Sequence, residues 1–178
     1  LAITEELGIE RPEWKMKGQR LVNTIKTIPE AFAPKKRWAM DWYYPVLAGV
    51  ISGEDGLSHL SAKTSEFEIA GKGIRCVSDR PWITTAETCE CAMAYLAVGD
   101  RTHAIDLFSK IQEYRDHNGS YLTGVVYPEN ISFPENEVST YSAAAAILTA
   151  DALLGLSDAD KVFIDHNYLP SLINETNT

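Results

Sequence analysis

Three stretches of this chain are apolar almost all round, and they constrain its fold more than any other feature. They are "YPVLAGVIS" at 44–52, "CAMAYLAVG" at 91–99 and "YSAAAAILTADALLG" at 141–155. A helix without a wet face must be buried on every side. Between these stretches lie segments with one dry stripe. After Pro12, a residue suited to a first helical turn, Trp14, Gly18, Leu21, Ile25 and Ile28 recur at helical spacing, while Lys15, Lys17, Arg20 and Lys26 fall off the stripe. Ala104, Phe108, Ile111 and Arg115 repeat the pattern, and residues 57–67 carry a weaker version. The alternation predicts hairpins, each with one inner and one outer helix.

Shared punctuation supports that reading. Gly53, Gly99 and Gly155 each close an apolar stretch and precede acidic residues, as C-terminal helix caps do. They recur at intervals of roughly fifty residues, a period that points to helical repeats stacked on their neighbours. Strand signals are few. The connections entering the inner helices, 69–82 and 116–137, are long, and those leaving them are short. Long loops in a compact domain are usually functional, and these gather where the buried helices begin. The predicted fold class is all-α: a partial α/α toroid of about three inner/outer helical hairpins, forming one domain over 1–178. The chain starts at Leu1, and a partial ring reads as the C-terminal half of a longer protein. It would expose the sides of its inner helices, so self-association through those edges is expected.

Composition excludes several functions. The net charge is −9 and no basic patch stands out, so nucleic acid is not an expected partner. The most apolar run, 143–156, is interrupted by Thr149 and Asp151 and falls short of the ~20 residues of a membrane span. Cys76, Cys89 and Cys91 form no regular framework, which suits reduced thiols and a cytoplasmic location. The histidines have no partners at metal-ligand spacing, and Gly71-Lys72-Gly73 lacks the rest of a phosphate loop. No metal and no cofactor is expected.

The segments "MDWYYPVL", "RCVSDRPWITTAETCE" and "STYSAAAAILTADAL" resemble bacterial proteins labelled prenyltransferase-like, relatives of the α/α toroids of terpenoid cyclases and protein prenyltransferases. The resemblance covers residues 14–156 and implies inner and outer helices around a central cavity. It carries no reaction with it. Gln112 with Gly119-Ser120-Tyr121 departs from the cyclase repeat, the Asp-rich acid motif is missing, and no Asp, Cys and His set suits zinc. The same alternation also fits six-hairpin glycosidases, which build carbohydrate sites at that end of a similar barrel.

Polar residues collect at the starts of the buried helices. Asp41 and Glu87 stand equally far before Gly53 and Gly99, and Glu90 lies one turn further in than Glu87. Trp42, Tyr44, Trp82 and Tyr141 are the expected walls. Carboxylates among aromatics suit a sugar stacked on a ring beside an acid–base pair, or a carbocation held by aromatic faces. Asp41, Glu87 and Glu90 are thus the candidate catalytic acids, and the expected ligand is a small molecule, isoprenoid or carbohydrate. Each acid has a plain alternative. Thr84-Thr85-Ala86-Glu87 reads as a capping box, Asp41 as a cap for a helix entered at Tyr44-Pro45, and Glu90 as an ion pair with Arg75 or Arg80. A non-enzymatic helical binding module would have only those roles.

Overall fold

Thr84 adopts an extended conformation, and the thirteen residues that follow it, Thr85–Ala97, form a helix buried on nearly every side. Everything else is arranged around that helix. The structure, a computed structural model, describes residues 1–166; the end of the expected domain, 167–178, lies outside the described residues. In chain order the elements are α1 (Ala2–Glu6), α2 (Pro12–Thr27), α3 (Ala39–Leu47), α4 (Gly53–Ser61), α5 (Thr64–Phe67), β1 (Glu68–Ile69), β2 (Gly73–Ile74), β3 (Trp82–Thr84), α6 (Thr85–Ala97), α7 (Arg101–Ile111), β4 (Leu122–Val126), β5 (Ile131–Val138), α8 (Thr140–Leu154) and α9 (Asp160–Phe163).

The helices α3, α6 and α8 begin at one end of the molecule. Ala39 donates its amide to the Cys76 carbonyl at 3.0 Å, and Cys76 donates to Trp82 at 2.9 Å, which ties the start of α3 to the strand entering α6. Thr85 Oγ1 donates to the Leu122 carbonyl at 2.7 Å, and Leu122 pairs with Val138, the residue that leads into α8. Small residues let α8 approach α6 closely. Thr149, buried on α8, turns its hydroxyl to the Cys89 carbonyl at 3.1 Å. Trp42 on α3 is fully buried, stacked on Phe67 with 5.4 Å between ring centroids. Its indole N–H donates to the Leu60 carbonyl at 3.1 Å.

The all-α expectation is overturned. A three-stranded antiparallel sheet, β3-β4-β5, and a two-stranded one, β1-β2, occupy stretches read as long loops. The architecture is mixed α/β, and the partial toroid of three helical hairpins is withdrawn. The physical reason is that the pairs β1-β2 and β4-β5 are local hairpins of short or mostly exposed strands without a clear apolar alternation, and the pairing of β3 with β4 is non-local. Ile83 faces Val125, and Thr84 faces Gly124, so no local window contains the β3-β4 pairing. The strand β3 has only three residues. The strand β5 is mostly exposed and carries Pro134, Glu135 and Glu137, the residues that blunt a sheet edge. Enclosure also differs from the expectation. Of the apolar helices, α6 is surrounded, but α8 leaves Ile147 69% and Leu154 67% exposed. The helix α3 starts earlier than its apolar run suggests, at Ala39, with Pro45 in its interior and Asp41 in its first turn. Among the described residues, no helix is long and apolar enough to cross a membrane.

Two histidines on the outer helices, His59 and His103, have structural partners. His59 Nε2 lies 2.8 Å from the Trp42 carbonyl. His103 stacks on Tyr95 at 4.0 Å and pairs with Glu68 at 2.8 Å, which links α7 to β1. The hydrogen bond to Glu68 raises the His103 pKa above the usual imidazole value, against burial, with Asp100 and Asp106 adding to the rise.

Two predictions follow from this packing. A Cβ on Gly124 would come within 2.4 Å of the Ile83 carbonyl oxygen, so Gly124→Ala forces β3 and β4 apart. It should lower stability by about 1–3 kcal/mol, measured by urea unfolding. For His103 the folded pKa is raised, so its contribution is complete below the free value of about 6.5 and disappears as pH rises through the folded value. His103→Gln should flatten the fall in Tm over that interval; an unchanged pH profile would show that the pair contributes nothing.

Candidate functional site

Between α3, α6 and α8 lies a cavity of ≈ 430 Å³. The side chains that face it come from three helical stripes and a cover. Tyr44 and Ala48 lie on one face of α3, Glu90 and Met93 on α6, and Tyr141, Ala145 and Leu148 on α8, with α9 above. Among the described residues, Glu90 is the one charged group in this lining.

Glu90 sits where an ionised carboxylate needs donors, and it has them. Tyr43, fully buried on α3, donates its hydroxyl to Oε2 at 2.6 Å. Tyr141 donates from α8 to Oε1 at 2.5 Å. Burial first, and Glu90 second, push the Tyr43 hydroxyl well above its usual range. Burial and the Glu90 hydrogen bond do the same at Tyr141. Tyr44 is raised as well, by burial and then by Glu90. All three phenols therefore keep their protons at neutral pH. The expected ion pair to arginine is not the arrangement found. Arg75 donates to the Ser78 carbonyl at 3.2 Å, and Arg80 lies over the Trp82 ring at 5.9 Å.

Glu87 lies one turn earlier on the same face of α6. Burial is the main cause of its raised pKa, with the Glu90 charge adding to it, while the nearby Thr84 hydroxyl and Glu87's own amide pull the other way. The capping box is not completed. Thr84 offers no side-chain cap bond, and its Oγ1 is buried with no hydrogen-bond partner among the described residues. Glu87 also helps raise the Cys76 thiol to about 11, after burial, a value that makes the thiol unreactive.

The other sequence candidates separate. Asp41 is exposed, one helical turn before Tyr44 on the same face of α3. Tyr44 and Tyr141 line the cavity. Trp42 is core, as described above. Trp82 is half-buried in β3 and stacks on Phe133 of β5 at 4.4 Å, in the sheet beside the helix starts. Sequence reasoning missed Tyr43, Val162 and Phe163. Tyr43 had a signal, since Val46 and Leu47, one turn further on, lie with it on the buried side of α3. The four-residue α9 had none. Among the described residues, no group of three or more His, Cys, Asp or Glu could hold a metal ion.

No family model matches the chain. It is similar to the MMP endo-(1,4)-3-O-methyl-alpha-D-mannosidase of Mycolicibacterium hassiacum, with 43% identity over 163 residues, 92% of this chain and 45% of that protein. The chain thus spans less than half the length of that relative. This finding overturns the resemblance to prenyltransferase-like proteins and terpenoid cyclases: the relative is named as a glycoside-cleaving enzyme, and the fold is not all-α. The isoprenoid expectation falls with it, while the glycosidase alternative agrees with the relative's name.

The hydrogen bonds to Glu90 should be measurable. Tyr43→Phe removes a buried, charge-assisted donor and should cost about 1.5–3 kcal/mol. Tyr141→Phe should cost less, because Tyr141 is 54% exposed and water can replace it. Urea unfolding at neutral pH gives both numbers, and equal losses would contradict the assignment of Tyr43 as the buried partner.

Proposed function

We propose that this chain supplies catalytic acids and one wall of the substrate cleft of an endo-acting glycoside hydrolase, whose substrate is a (1,4)-linked α-mannoside chain carrying 3-O-methyl groups. The observation that carries the reading is a pair of carboxylates on one face of α6, one raised in pKa by burial and one held by two tyrosines at the head of a cavity. The substrate comes from the relative's name.

Glycoside hydrolysis needs one protonated carboxyl and one ionised one. Glu87 has the environment of the acid, since burial favours its neutral form. In the proposed step Glu87 gives its proton to the bridging oxygen as the bond from that oxygen to the anomeric carbon breaks. A water oxygen bonds to the anomeric carbon, and its proton passes to Asp41, exposed on the facing helix. Glu90, with its lone pairs directed by Tyr43 and Tyr141, binds sugar hydroxyls and holds the substrate in register. The Tyr44 and Tyr141 rings offer apolar faces to the sugar.

The test is release of reducing ends from a 4-linked, 3-O-methylated α-mannoside oligosaccharide. Glu87→Gln should lower kcat by about 10²–10⁴-fold, and Asp41→Asn by a comparable factor. The wild-type rate should fall as pH rises through the raised Glu87 pKa, because the acid is then deprotonated. Full activity in both variants would sink the assignment. Sugar binding without any release of reducing ends would favour a binding module instead.

A further inference from the structure

The cavity has two unlike ends. At the helix starts stand Glu90, Tyr44 and Tyr141; the remainder is lined by Leu47, Met93, Leu148 and, from α9, Val162 and Phe163. A helix as short as α9 does not persist alone, and here it is strapped across the cavity. Phe163 and Ile164 pack on the core. Beyond them, His166 Nε2 lies 3.0 Å from the Leu47 carbonyl oxygen at the end of α3. The His166 ring occupies the space above Gly49, where a Cβ would come within 2.6 Å of the ring carbon Cγ. Gly49 has φ +70°, so it serves as both the turn after α3 and the seat for the ring.

The geometry points to Val162 and Phe163 as specificity-determining residues that read the O-methyl groups of the sugar, with His166 on Gly49 as the positioning residue that holds them in place. This rests on the carbohydrate reading above. A free hydroxyl pressed against that wall gives up water and meets no acceptor, which is unfavourable. A methoxy carbon in the same place is removed from water, worth about four-fold in affinity per methyl group. Both effects act in one direction, so the wall discriminates between an ether and a hydroxyl. The polar end contributes no such preference, because its tyrosines and Glu90 serve hydroxyls.

The experiment titrates the whole chain with methyl 3-O-methyl-α-D-mannopyranoside and with methyl α-D-mannopyranoside, followed by NMR. In parallel, kcat/KM is measured on methylated and unmethylated 4-linked oligosaccharides. The wild type should prefer the methylated sugar by about four-fold or more. Val162→Asn, a change at a half-exposed position, and Phe163→Ala should bring the ratio close to one. His166→Ala should raise KM for the methylated substrate and leave kcat in place, a split that simple loss of stability does not produce. A wild-type ratio near one, or an undiminished ratio in Val162→Asn, overturns the inference while hydrolysis still upholds the proposed function. Binding of neither sugar overturns both.

Discussion

Glu90 stands one turn inside a helix whose next four residues are all buried. Its half-buried carboxylate needs hydrogen-bond donors. The donors come from different directions: Tyr43 from α3 and Tyr141 from α8. One group therefore ties both flanking helices to α6: Oε2 meets the buried Tyr43 and Oε1 the half-exposed Tyr141. The cavity is a consequence of the same packing. Below the tyrosines, Ala48, Ala144 and Ala145 are too small to fill the space between the helices.

The sheet β3-β4-β5 gives that arrangement its orientation. It joins the strand entering α6 to the strand entering α8, and the loop before β3 receives the first amide of α3. Three helix starts are thus brought together by backbone hydrogen bonds rather than by side-chain packing alone. Acids near helix N-termini are favoured by the dipole, and of the three candidate acids Glu90 lines the cavity. The opposite end is held by α9 and by His166 on the last turn of α3. Glu90, Tyr44 and Tyr141 mark one part of the cavity, and Val162 and Phe163 of α9 line the apolar part.

Particular residues show how much of this was legible. The apolar run at 141–155 became α8, and the one at 91–99 became the second half of α6. Glycine caps at Gly99 and Gly155 have the positive φ that their positions suggested. Glu90 was marked by its place one turn inside an otherwise apolar helix, and Tyr44 and Tyr141 by their place at the helix starts. Trp42 was read as a wall and is core, because one position along α3 turns a side chain by about 100°, from the cavity side to the Phe67 side. The strands were not legible. Val125 and Val126 have the β-branched character of a strand, but their nearer partners lie on the mostly exposed β5, and their other partners on β3 lie some forty residues earlier. The enclosure of α8 was overestimated because its uniform Ala content hides which side packs.

The sequence by itself determined the apolar bodies of α6 and α8, the glycines that end them, and that acids and aromatics stand near the helix starts. These are local matters, decided by periodicity, capping and turn residues within one or two turns of chain. Only the tertiary structure decided that α6 is the enclosed helix, that two tyrosines from separate helices converge on Glu90, and that a strap seated on Gly49 covers the apolar end. Those contacts join residues 47, 51 and 119 positions apart. They depend on which surfaces remain for one another once the core is packed, and no stretch of chain carries that information alone.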